Sequence, residues 1–214
     1  MKKLIFLLLS AVAISQCSAP VTNNELKPDE TAVKIFTPAE LNGLIEMIKF
    51  VDDKVTAVEK GTNINQKYRA CFNQLDSFVV EGKMIPALVA DSVKLRFLET
   101  IGDEAFASVW KINETVKPVN NVDSALTDLS VLKTLTLNYS GKYMAYLNET
   151  GKTDSIYSYL FQNIEVAGDI PPVVVSWYPA RAKEIDFSQF KARLWAAVYL
   201  LRLNTSSDAI TEVK

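Results

Sequence analysis

The sequence predicts an all-α fold, in which a single-domain bundle of about six or seven helices surrounds a central, apolar C-terminal helix. Three observations lead to this prediction. Apolar residues recur at the three- and four-residue spacing of a buried helix face over most of residues 37–204. Residues that start and stop helices bracket these segments. The composition, 49% hydrophobic and 22% charged over 214 residues, is typical of one globular domain.

The first two helices have clear start and stop signals. Thr37-Pro38-Ala39-Glu40 combines an N-cap threonine, a proline at the first helical position and the glutamate of a capping box. Gly61 should end this helix, and Asn63 should cap a second helix that ends at Gly82. The short link between them predicts an antiparallel hairpin. The first helix has an apolar face of Leu41, Leu44, Ile45, Ile48, Val51, Val55 and Val58.

The middle of the chain is less regular. A third helix is expected from Pro86 to Gly102, and Asp103 should cap a short fourth helix. From Asp123 to Tyr146, helical spacing of apolar and aromatic residues favours one long helix. Residues 131–137 also alternate between two faces, as a strand does, so a strand is the alternative there.

The last third again shows helical spacing. Asp154 restarts a helix after the break at Gly151. Residues 173–175 fit either a short helix or an extended segment. Asp186 and Gln189 should form the capping box of the last helix, which is apolar almost all round and is therefore expected at the centre of the fold. Only eight apolar residues separate its two arginines, too few to span a membrane, which takes about 20.

The N-terminus predicts export. Lys2 and Lys3 precede a short apolar run that includes the hexapeptide Leu4–Leu9, and small residues follow it. This order is typical of a secretory signal peptide, which we place at residues 1–16. Residues 17–36 mix proline, asparagine, threonine and charges without periodicity and are interpreted as a flexible tether. Residues 37–204 form the predicted helical domain, and residues 205–214 a polar tail.

The end of the signal resembles the lipobox of bacterial lipoproteins. Ala13-Ile14-Ser15-Gln16-Cys17 carries the resemblance, with Gln16 where the family has Gly, Ala or Ser. The resemblance implies lipidation of Cys17, hence a membrane-anchored lipoprotein whose domain faces the periplasm or the cell exterior. Ala11-Val12-Ala13 is a competing cleavage site, and its use would give a soluble periplasmic or secreted protein.

The fate of Cys17 also bears on Cys71, the second of the two cysteines. Lipidation of Cys17 would leave Cys71 as a single thiol. A free Cys17 in an oxidising compartment could instead form a disulfide with it. Because Cys71 lies on the apolar face of the second helix, we expect it to be a buried, small hydrophobic residue.

The composition excludes several kinds of chemistry. The chain has no histidine, which excludes Ser-His-Asp catalysis and histidine-ligated zinc or haem. Loss of Lys2 and Lys3 from 23 basic residues leaves 21 against 25 acidic residues, a net charge of −4, so a nucleic-acid partner is not expected. No cofactor or metal site is predicted. Asp52 and Asp53 are neighbours on one helix and are interpreted as part of a solvated face.

The second half of the chain is rich in aromatic residues. Trp177, Tyr178, Tyr157 and Tyr143 are the candidate ligand-binding residues, because such side chains can line a small-ligand pocket. Burial in the core, with hydroxyls reaching the surface, is the alternative. We therefore expect a non-catalytic module that binds a partner protein or another envelope component. A small-ligand binder with an aromatic pocket and a carboxylate-dependent envelope hydrolase are the alternative functions.

Overall fold

The computed structural model describes residues 26–58, 63–118 and 129–203. In these residues the chain forms nine α-helices, one 3₁₀ turn and a two-stranded sheet, which confirms the all-α fold class. The helices are α1 (Glu30–Ile35), α2 (Pro38–Val58), α3 (Ile64–Val80), α4 (Asp91–Leu98), α5 (Asp103–Val109), α6 (Lys142–Gly151), α7 (Ser155–Ala167), α8 (Pro172–Arg181) and α9 (Phe190–Arg202). The strands are β1 (Trp110–Pro118) and β2 (Leu129–Leu137), and the 3₁₀ turn covers Ala182–Glu184. The predicted signal peptide, Cys17 and the polar tail lie outside the described residues.

The C-terminal helix α9 is the centre of the fold, as its composition predicts. Every residue from Leu194 to Leu201 is buried. Each large apolar side chain that is removed from water in this way contributes about 1.5–3 kcal/mol to folding. Helix α2 packs along α9 and also contacts α3 and α5. Across the three described ranges, no helix has both the length and the hydropathy that a membrane crossing requires.

Several predicted helix starts are confirmed by their hydrogen bonds. The Thr37 amide donates to Glu40 Oε2 at 2.6 Å, and the Glu40 amide donates to Thr37 Oγ1 at 3.2 Å, which completes the capping box of α2. Asn63 Oδ1 accepts the Gln66 amide at 3.0 Å at the start of α3. Asp154 Oδ1 accepts the Ile156 amide at 3.0 Å at the start of α7.

The long helix predicted over residues 123–146 is wrong. Its described part contains strand β2, which pairs antiparallel with β1 from Trp110 opposite Leu137 to Pro118 opposite Leu129. The strand alternative is correct because every second residue, Leu135 and Leu137, is buried against the core. Helix α6 starts only after Gly141, where a Cβ would lie 2.4 Å from the Ser108 carbonyl oxygen.

Two other element boundaries differ from expectation. The third helix begins at Asp91 rather than near Pro86, and residues 83–90 form neither helix nor strand. Helix α9 begins at Phe190 rather than after Asp186, because Asp186 caps a turn by accepting the Ser188 amide at 3.0 Å. Residues 173–175 are helical within α8, so the extended alternative is wrong there.

The tether predicted over residues 17–36 is wrong in its second half. Residues 30–35 form α1, which Asp29 caps by accepting the Ala32 amide at 2.9 Å. Ala32 and Phe36 are buried in the main core, and α1 contacts α6. A helix of six residues is too short to give a recognisable period in the sequence, and its stability comes from this packing.

Candidate functional site

The predicted aromatic site residues lie in the protein core. Tyr143, Tyr157 and Tyr178 are at most 4% exposed. The Tyr178 ring makes edge contacts with Phe72 and Trp195, at centroid distances of 5.0 and 5.6 Å. Aromatic packing therefore fills the region of the expected pocket, and the burial of these tyrosines in the core agrees with the alternative interpretation. The expectation that their hydroxyls reach the surface is wrong for Tyr143 and Tyr178, whose Oη atoms are buried.

Trp177 lies in a different environment from these three buried tyrosines. Its ring is half-buried and packs against Tyr159 with a centroid distance of 4.2 Å. The Arg181 guanidinium lies over the same ring at 5.5 Å. The four predicted residues thus do not form one ligand pocket, although three of them lie together in the core.

Two hydroxyls in this core have unmet hydrogen-bonding capacity. Within the described residues, the Oη atoms of Tyr143 and Tyr178 are buried and have no hydrogen-bond partner. Burial, with a smaller contribution from the neighbouring Tyr178, raises the pKa of Tyr143 well above its ordinary value. The hydroxyls therefore stay protonated and polar. A buried polar group without a partner costs about 1–3 kcal/mol, so the interior behind α6 and α7 has unused donors and acceptors.

A polar cleft opens beside this core, between α1, the end of α6 and the start of α9. We call it the ligand cleft; it has a volume of about 550 Å³, within the range of small-molecule sites. Its charged residues are Lys27, Asp29, Glu30 and Lys191, and its other lining residues are Thr31, Thr150, Thr153, Ser188, Gln189 and Phe190. Most of these side chains carry hydrogen-bonding groups. The cleft is therefore suited to a polar ligand.

Asp29 is fixed on the α1 side of the ligand cleft by both of its carboxylate oxygens. Oδ1 accepts the Ala32 amide at 2.9 Å, and Oδ2 accepts the hydroxyl of Tyr146 at 2.6 Å. Burial raises the pKa of Tyr146 far above its usual range, and the Asp29 carboxylate adds to this shift. Tyr146 consequently stays a hydrogen-bond donor, and it ties α1 to α6 at the cleft wall.

Lys191 is fixed on the α9 side in a comparable way. Its Nζ donates to Asp154 Oδ2 at 2.8 Å and lies 5.3 Å from the centre of the Tyr157 ring. The second oxygen of Asp154 accepts the Ile156 amide and caps α7. Asp29 and Asp154 therefore have the same arrangement, in which one oxygen caps a helix and the other accepts a hydrogen bond from a distant side chain.

Thr150 provides an unsatisfied group at the wall of the ligand cleft. The residue is 7% exposed, and its Oγ1 has no hydrogen-bond partner within the described residues. The nearby Ser188 Oγ, by contrast, donates to Asp186 at 2.7 Å and keeps its lone pairs as hydrogen-bond acceptors. Thr150 Oγ1 is itself buried, and a ligand donor or acceptor that reaches it would supply the missing hydrogen bond.

The two adjacent aspartates of α2 do not share one environment. Asp53 is exposed, whereas Asp52 accepts a hydrogen bond from Tyr68 at 2.7 Å and pairs with Arg193 of α9 through two nitrogens. Burial raises the pKa of Asp52 despite the opposing effect of Arg193. The solvated-face interpretation is thus wrong for Asp52, which joins α2, α3 and α9 in a largely buried ion pair.

Two further ionisable side chains, Cys71 and Lys94, are buried. Cys71 is 2% exposed, as expected for a small core residue, and burial raises the pKa of its thiol to about 11. Lys94 is 1% exposed and donates to the Leu203 carbonyl at 2.7 Å, where it caps the end of α9. The described residues contain no group of three or more acidic or cysteine side chains that could hold a metal ion.

Sequence reasoning missed the ligand cleft because its walls come from distant segments. Asp29 and Tyr146 are 117 residues apart, and Asp154 and Lys191 are 37 apart. The helix cap at Asp154 was visible locally, whereas the pairing across helices gave no local signal. Comparison of the chain with protein-family models, with curated proteins and with solved structures found no match.

Proposed function

We propose that this chain is an exported, lipid-anchored envelope protein that acts as a non-catalytic binding module. The signal-like N-terminus and Cys17 support export and anchoring. The ligand cleft is its binding site for an envelope component. The observation that carries this proposal is the polar, pre-shaped cleft with the unsatisfied Thr150 hydroxyl in its wall.

The hydrogen bonds of Asp29, which lines the ligand cleft, and of Asp154, which pairs with the lining residue Lys191, favour binding over catalysis. The other lining carboxylate, Glu30, is exposed on α1. A general acid or base needs a carboxylate oxygen free to exchange a proton with a substrate. In Asp29 and Asp154 both oxygens already accept hydrogen bonds from the protein. Groups held in this way are well suited to fixing the orientation of a ligand, because they need no reorganisation when it binds.

A blocking substitution tests the use of the ligand cleft. Thr153 is exposed at the cleft, and its Oγ1 lies 3.4 Å from the carbonyl oxygen three residues earlier. Thr153→Trp should fill the cleft and abolish binding to the active fraction of an envelope extract, separated into polysaccharide, lipid and protein. Thr100→Trp is the matched control, because Thr100 also follows a helix and donates to the carbonyl three residues earlier.

Two results would contradict the proposal. Equal binding by Thr153→Trp and the wild type would show that the ligand cleft is not the site. Absence of binding to all three fractions would remove the binding function itself. Anchoring is tested separately by intact mass measurement of the mature protein, where diacylglycerol on Cys17 is expected and an unmodified Cys17, or its absence, refutes the anchor.

A further inference from the structure

A second polar cleft lies next to the ligand cleft. It has a volume of about 470 Å³ and lies over the α6–α7 turn. Its lining residues are Gly151, Lys152, Thr153, Asp154, Ser155, Ser158, Tyr159 and Gln162. Thr153 lines both clefts, and Asp154 of the second pairs with Lys191 of the first. The two clefts therefore adjoin at Thr153 and at the Lys191–Asp154 pair, and together they are called the joined groove.

The charges along this groove are balanced. Its lining includes three lysines and three carboxylates: Lys27, Lys152, Lys191, Asp29, Glu30 and Asp154. Several of them are neutralised within the protein, since Lys191 pairs with Asp154 at 2.8 Å and Lys152 pairs with Glu149 at 2.5 Å. A groove with no excess of either charge favours an uncharged ligand.

The uncharged polar groups of the groove fit a ligand rich in hydroxyls. Six threonine and serine hydroxyls and two glutamine amides line it: Thr31, Thr150, Thr153, Ser155, Ser158, Ser188, Gln162 and Gln189. Such groups both donate and accept hydrogen bonds, as sugar hydroxyls do. None of the groove residues belongs to a strand, so the groove offers no free strand edge for an extended peptide.

An aromatic ring lies at the far end of the groove. Tyr159 is half-buried, lines the second cleft, and packs against Trp177 at a centroid distance of 4.2 Å. An aromatic ring held in this way presents a rigid apolar surface against which the C–H face of a pyranose can pack. The Tyr159 ring therefore suits the C–H face of a sugar, and the serine and threonine hydroxyls of the groove suit its hydroxyl groups.

We infer that the joined groove binds a linear, uncharged oligosaccharide, with one end at Thr150 and the other at Tyr159. This inference rests on the proposed binding function and names the class of its ligand. Sugars in the ligand cleft satisfy Thr150 Oγ1, and a sugar farther along packs on Tyr159. Binding through both clefts makes affinity depend on the number of sugar units.

Calorimetric titration of the mature chain tests this inference. The probes are di- and hexasaccharides of β-1,4-glucose, α-1,4-glucose, β-1,4-N-acetylglucosamine and α-mannose. We expect at least one hexasaccharide to bind roughly tenfold or more tightly than its disaccharide. Thr150→Val should weaken hexasaccharide binding about two- to tenfold, the usual effect of one lost hydrogen bond, and Thr150→Ser should restore it.

A substitution of Tyr159 tests whether the second cleft takes part in binding. Tyr159→Leu should weaken hexasaccharide binding about two- to tenfold and leave disaccharide binding less affected. Tyr139→Leu is the control, because Tyr139 is 46% exposed and lies outside the groove. Thermal unfolding of each variant establishes that it is folded.

The outcomes separate this inference from the proposed function. If none of these oligosaccharides binds, but a lipid or protein fraction binds and Thr153→Trp blocks it, the saccharide inference is wrong and the ligand cleft stands. If a disaccharide binds as tightly as its hexasaccharide and Tyr159→Leu has no effect, the joined groove is wrong. If no fraction binds at all, both proposals fail.

Discussion

The hydrogen bond from Tyr146 to Asp29 holds one wall of the ligand cleft, and its removal makes a sharp prediction. Tyr146→Phe keeps the ring, which packs against Phe36 at a centroid distance of 5.6 Å, and removes only the hydroxyl. A hydrogen bond to a charged acceptor contributes about 1.5–3 kcal/mol. In a domain of this size each kcal/mol shifts the Tm by about 2–4 °C, so we expect a fall of roughly 3–12 °C.

Two assays distinguish a local effect from a general one. Thermal unfolding followed by circular dichroism gives the Tm, and amide hydrogen exchange of residues 30–35 reports the docking of α1. Both should change in Tyr146→Phe and neither in Tyr139→Phe, whose hydroxyl belongs to an exposed residue. A Tm within 1 °C (roughly 0.5 kcal/mol or less) of wild type, with unchanged exchange in α1, would refute the idea that this bond fixes the cleft wall.

Further predictions concern Gly151 at the α6–α7 turn, the buried ion pair between α2 and α9, and Cys71 in the core. Gly151→Ala places a Cβ 2.9 Å from the Ser158 backbone nitrogen, so urea unfolding should show a loss of about 1–3 kcal/mol; an unchanged midpoint would contradict this close approach. Arg193→Met leaves Asp52 without its cation and should cost about 3–5 kcal/mol by the same measurement, whereas Asp52→Leu combined with Arg193→Met should recover part of the loss. Cys71 should resist iodoacetamide at pH 8 until the protein unfolds, as followed by mass analysis of its peptide. Because folding raises its pKa from 9.0 to about 11, the thiol contributes stability below pH 9 that is lost as the pH rises towards 11, and Cys71→Ala should lack this component.

Local signals in the sequence predict the parts of the fold whose partners are close along the chain. The capping box of Thr37 and Glu40 spans three residues, and the structure forms both of its hydrogen bonds. The burial of α9 follows from its composition alone. These features depend on backbone geometry within one or two turns, which the residue types fix directly.

The features that were mispredicted depend on competition between patterns or on distant partners. Residues 131–137 satisfy both a helical and an alternating pattern. They form a strand because β1 pairs with them and because Leu135 and Leu137 are buried in the core. Asp29, the N-cap of α1, accepts a hydrogen bond from Tyr146, which is far along the chain. Trp177 and Tyr178 are adjacent in sequence, but the first pairs with Tyr159 near the surface and the second is fully buried.

The most direct test of the ligand cleft is to map bound ligand onto the protein by amide chemical-shift changes during titration with the active envelope fraction. We expect the largest changes at Thr31, Thr150 and Ser188, which line the cleft from α1, from α6 and from the turn before α9. Largest changes elsewhere would contradict the proposed site. An example is a cluster around Tyr139 and Phe161, in a cleft of about 180 Å³ that shares no lining residue with the ligand cleft.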